Sequence, residues 1–138
     1  MTRSLKPLLP IAQVLCDAAL SKHRKILQDK HDLAMRRNDL DRTASVSVDA
    51  EAQHRMTLAG ADAAWRDWVS LQRAALQREA AMIRARELDS LPQTRLAMGR
   101  RDALAALIEE EVQKIAREDR KKQDTALHAL ALLKRRRV

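Results

Sequence analysis

Apolar side chains return every seven residues along the start of this chain: Leu5, Ala12, Ala19, Ile26, Leu33 and Leu40. A repeat sustained over that many turns puts one narrow apolar stripe on a helix, which a second helix must cover. The matching second row is uneven, because Leu8 and Leu15 are followed by Lys22, Asp29 and Arg36. The stripe is therefore expected to narrow toward Arg42. Pro7 and Pro10 suit the entrance of this helix, where proline's fixed φ fits and its missing N–H is not needed.

Composition points to the same architecture. The 138 residues include no Phe, no Tyr, two Trp, two Gly and three Pro, and 33% are charged. A β-sandwich or barrel needs β-branched runs and frequent turn residues, and aromatics dominate large globular cores. A chain built from Ala, Leu, Arg, Lys, Glu, Gln and Asp reads instead as long helices. Its hydrophobic share of 46% at helical spacing argues against disorder.

The heptad period fails from Thr43 to Val48, where Ser45-Val46-Ser47-Val48 is a poor helix former. The spacing predicts a first helix over about 10–42, a turn at about 43–48 and a second helix over about 49–135. That second helix carries two adjacent heptad rows, Asp62, Val69, Leu76, Ile83 and Ala61, Trp68, Ala75, Met82. Gly60 weakens it by roughly 1 kcal/mol relative to Ala. Ser90-Leu91-Pro92-Gln93 reads either as a capping box opening a third helix or as a kink in one long helix. No Gly or loop-length polar cluster accompanies it, which favours the kink. Farther on, Leu104, Ile108, Ile115, Ala126, Ala129 and Leu133 mark one side, away from Glu109-Glu110-Glu111 and Arg117–Lys122. The expected fold is all-α: one domain forming a long antiparallel two-helix coiled-coil hairpin.

Little in this pattern is catalytic. There is no Gly-rich phosphate loop, no nucleophile elbow, and no pair of Cys or His at metal spacing. Cys16 and His23 stand seven apart and could share a helix face, yet two residues do not make a metal site, so ordinary packing and surface roles are expected of them. His31, His54 and His128 have no partner at ligand spacing. The chain reads as a non-enzyme, with no catalytic residue, no metal and no cofactor.

The net charge is +8. Cut at residues 42 and 89, it divides as +4, −1 and +5, so the positive charge sits at the two ends. A hairpin would join them into a basic tip for an acidic protein surface or a phosphate backbone; solvated helix flanks are the plainer explanation. Nucleic acid is the weaker of the two partners, because no stacking aromatic lies near either end. No stretch approaches the ~20 apolar residues of a membrane span, so membrane insertion is not expected. The lone Cys16 fits a reducing compartment and a cytoplasmic location.

Trp65, Trp68, Leu71 and Ala75 fall three or four apart along one helix face. Two rings in a chain otherwise without aromatics mark either the wide part of the seam or an exposed anchor for a partner. Since Val69 and Leu76 flank the same side, the seam is the preferred placement.

Trp65-x-x-Trp68-x-x-Leu71 opening the second long helix, with Arg117-Glu-Asp-Arg-Lys-Lys-Gln-Asp124 before small apolar residues and a basic tail, resembles the FliJ/YscO family. These are central stalk proteins of flagellar and injectisome type III secretion. The resemblance implies a shaft whose tip sits in a hexameric export ATPase and whose other part contacts the export gate. On this chain it implies an ATPase-facing tip of Lys22, Arg24, Lys25, Arg120, Lys121 and Lys122, and a gate-facing patch of Trp65, Trp68, Leu71 and Ala75. It further implies a cytoplasmic protein peripheral to the inner-membrane apparatus, with chaperones or exported subunits as additional partners. Arg78 departs from the family pattern, which has a small or apolar residue there, and Pro92 is foreign to it. The alternative is a basic coiled-coil module that binds nucleic acid or dimerises as a structural adaptor.

Overall fold

The computed structural model describes residues 4–45 and 50–137. Three helices account for nearly all of them: α1 (Leu8–Ala44), α2 (Ala50–Leu58) and α3 (Ala61–Arg136). No strand occurs among the described residues. The expected turn is only partly visible: Thr43 and Ala44 are helical and Ser45 is a turn residue, while 46–48 lie outside the described residues, as does Asp49. The expected second helix is divided. Gly60 stands at φ +73°, a left-handed conformation that stops α2, and its carbonyl accepts the Ala64 N–H in the first turn of α3.

The chain forms two compact units, one of residues 18–95 and one of residues 1–17 with 96–138. In the first, α1 and α3 run antiparallel. Polar pairs close in along the sequence from His23–Ser90 through Lys30–Glu87 and Arg36–Glu79 to Arg73–Asp41. The core of this unit is Ile26, Leu33 and Ile83, with Leu76 and Ala80 packed against them. Leu40 and Val69 are buried as well. Each fully buried aliphatic side chain contributes roughly 1.5–3 kcal/mol, whereas the exposed ion pairs at the margins add at most about 1 kcal/mol each.

The row Ala19, Ile26, Leu33, Leu40 faces α3 as the sequence predicts, but its companion row does not. Leu8 and Leu15 are exposed, and the second row runs through Leu9, Cys16 and His23, four residues after each member of the first. On α3, Val69, Leu76 and Ile83 take the seam, and the alternative row is left out of it. Ala61, Trp68 and Met82 are exposed and only Ala75 is half-buried. The seam continues through Ser90 and Thr94, both buried although polar.

Pro92 neither ends α3 nor starts a new helix: α3 continues through it. It deprives the Leu88 carbonyl of its donor, and both residues are on the exposed side. Ser90, read as a cap, serves the seam instead. Its hydroxyl meets His23 Nδ1 at 3.1 Å, and Thr94 Oγ1 donates to the Ser90 carbonyl at 2.9 Å. No buried side-chain nitrogen or oxygen among the described residues is left without a partner, which is what allows polar groups into a seam.

In the second unit Cys16 is fully buried and Arg101 Nη1 reaches its sulfur at 3.3 Å. The Arg101 pKa is raised, chiefly by its hydrogen bond to Asp102. Leu5, Leu9, Ala12, Ala97 and Leu104 are half-buried here, and Ile108 is buried. From Val112 to Arg136 every residue of α3 is exposed, as is Arg137 after it.

Candidate interaction surface

The most distinctive surface belongs to the unit of residues 18–95. Gly60 separates α2 from α3, Gln53 and Met56 of α2 line a groove with the start of α3, and the first turns of α3 carry both tryptophans. Their rings stack, with centroids 5.2 Å apart and planes 24° from parallel. Trp65 is 36% exposed, Trp68 44% and Leu71 68%. The pair therefore stands outside the seam, correcting the sequence-based placement. Val69 takes the buried seam position, Trp65 lies at its margin beside Thr43 and Ala44 of α1, and Trp68 and Leu71 lie farther out.

Trp65 also walls a groove of 780 Å³ formed with Ala44 of α1, Met56 of α2, and Val69, Arg66 and Arg73 of α3. Its lining mixes apolar side chains with Asp62, Arg66 and Arg73. Arg73 is tied to Asp41 at 3.2 Å and Arg66 to Asp62 one turn earlier. The Arg66 hydrogen bond lowers the Asp62 pKa below 3.8 despite partial burial, with a further contribution from Gln53. Asp62 also lies in the first turn of α3, where the helix dipole favours an anion. Stacked rings beside a groove of mixed lining supply rigid contact area at small entropic cost, the physical profile of a protein-binding anchor.

The six cations expected at a tip divide between the units. Lys22 and Lys25 line a shallow groove of 430 Å³ with Asp29, Arg86 and Asp89, and Arg24 is exposed on the same helix. Arg120, Lys121 and Lys122 belong to the other unit, all exposed on α3. The four named as a gate contact are close neighbours on one helix, Trp65, Trp68 and Leu71 exposed and Ala75 half-buried.

Sequence reasoning missed the His23–Ser90 and Cys16–Arg101 contacts. The signal is present, since His23 and Cys16 fall four residues after Ala19 and Ala12; an expectation of ordinary packing and surface roles does not name their partners. Among the described residues no three His, Cys, Asp or Glu side chains gather as a metal site, and no helix is long and apolar enough to cross a membrane. No family model, curated protein or solved structure matches this chain.

Proposed function

We propose that this chain is a non-enzymatic coiled-coil stalk of a type III secretion apparatus, coupling a hexameric export ATPase to the export gate. The observation that carries this reading is the stacked Trp65–Trp68 pair, exposed on an antiparallel helix pair and set in the spacing that resembles the FliJ/YscO family. Heptad-spaced burial along α1 and α3 supports the coiled-coil part. In this reading Trp65, Trp68, Leu71 and Ala75 contact the gate. Lys22, Arg24, Lys25, Arg120, Lys121 and Lys122 meet the acidic or polar lining of the ATPase ring, peripheral to the inner membrane on the cytoplasmic side. Chaperones or exported subunits are further partners.

A shaft of this kind performs no chemistry. It supplies a narrow surface that enters a ring and a separate anchor that engages the gate, so nucleotide turnover at one is felt at the other. The test is ATP hydrolysis by the purified export ATPase, titrated with this protein. Stimulation saturating near one chain per hexamer is expected, and it should weaken when Lys121 and Lys122 are changed to Glu. No stimulation of an ATPase shown to be an active hexamer overturns the reading. A steep salt dependence of binding to random DNA would then favour the basic nucleic-acid module.

A further inference from the structure

The stretch of α3 beyond Glu111 is a helix with nothing packed on it. Val112 is 45% exposed, Ile115 52% and Leu133 59%, and Ala126 and Ala129 are exposed too. Val112, Ile115, Asp119, Lys122, Ala126, Ala129 and Leu133 are spaced alternately by three and four residues, the pattern of a helix seam. Five are apolar and the two in the middle carry opposite charges. Neither Asp119 nor Lys122 has an ion-pair partner among the described residues.

The pattern is its own complement when reversed. Laid antiparallel on a second copy, Ile115 meets Ala126 and Val112 meets Ala129, while Leu133 comes opposite Ile108, which the monomer already buries. At the centre Asp119 meets Lys122, and by symmetry Lys122 meets Asp119. One register therefore matches Val112, Ile115, Ala126 and Ala129 with apolar partners and each charge with its opposite, while the exposed Leu127, Leu130 and Leu132 lie off this row. A parallel pairing would set Asp119 on Asp119 and Lys122 on Lys122. We infer that residues 112–133 of α3 form an isologous, two-fold antiparallel pair with a second copy of this chain. The two central ion pairs fix its register, the use for which buried charges in helix seams are best attested.

This pairing goes beyond the stalk reading and stands without it, because its evidence is the sequence and exposure of one helix stretch. The two compete for Lys122, which a self-pair would cover. The chain would then hold its terminal helix in a dimer until a partner displaces the second copy.

Sedimentation equilibrium of the full chain over a concentration series tests this. The wild-type chain should pass from the 15.7 kDa monomer to twice that mass. Asp119→Lys alone and Lys122→Asp alone should each remain monomeric with unchanged helicity, since each opposes like charges at both central positions. Mixed one to one, these variants should recover a dimer, and so should the chain carrying both substitutions. A wild-type chain that stays monomeric throughout overturns the inference. So does a dimer indifferent to both reversals, or a one-to-one mixture that fails to associate. None of these outcomes depends on the ATPase, so failure here is distinct from failure of the stalk reading.

Discussion

The two glycines illustrate how far one residue's effect depends on its backbone. Gly60 adopts φ +73° between α2 and α3, while Gly99 lies inside α3, and neither would bring an added Cβ within 4 Å of another atom. Space is therefore irrelevant and conformation decides. Gly60→Ala should lower stability by about 1–2 kcal/mol, because an L side chain resists the left-handed region. Gly99→Ala should raise it by about 0.5–1 kcal/mol through helix propensity. Urea unfolding of the two variants checks both signs. Asp62 offers a second test at this scale. Its lowered pKa means the Arg66 pair is fully present above 3.8 and lost as pH falls through the depressed value. A carbon-13 NMR titration should place the Asp62 midpoint below 3.8, and a midpoint at or above it would contradict the pairing.

At the scale of elements, burial separates residues that the heptad count alone treats alike. Ile83→Ala removes a side chain from the core and should cost about 2–5 kcal/mol in urea unfolding. Changing Trp65 and Trp68 together to Ala removes two larger but partly exposed rings; it forfeits about 0.5–1.5 kcal/mol of stacking plus the area they cover, and should still cost less per ring than Ile83→Ala. A loss per tryptophan as large as that for Ile83 would return the rings to the seam. This contrast also marks how much of the fold could be read in the sequence. Helical class, the row through Ile26 and Leu33, the row through Val69 and Ile83, and the weakness at Gly60 all follow from spacing and propensity. The companion rows do not, because Leu15 and Met82 look like better seam residues than Cys16 and Ser90. Hydropathy cannot show that His23 and Ser90 satisfy each other, and that mutual hydrogen bond is what makes their burial tolerable. The tryptophan site could be located from the sequence, but its orientation hinged on the same hidden choice.

For the molecule as a whole, stability should be unevenly spread. The unit of residues 18–95 holds Ile26, Leu33 and Ile83, whereas residues 112–137 pack against nothing. In the Asp119→Lys chain, which self-pairing leaves monomeric, amide exchange along α3 should be slow around Ile83 and fast beyond Val112. Uniform protection along α3 would show that another contact holds its far end. The polar bonds along the seam carry a consequence of their own. Two helices with apolar groups at seven-residue intervals could slide past each other by one interval and still find apolar neighbours. His23 against Ser90, Lys30 against Glu87 and Arg36 against Glu79 meet in only one alignment. They act as detents on an otherwise repeating track, so a push along one helix moves its partner with it instead of being lost as slippage.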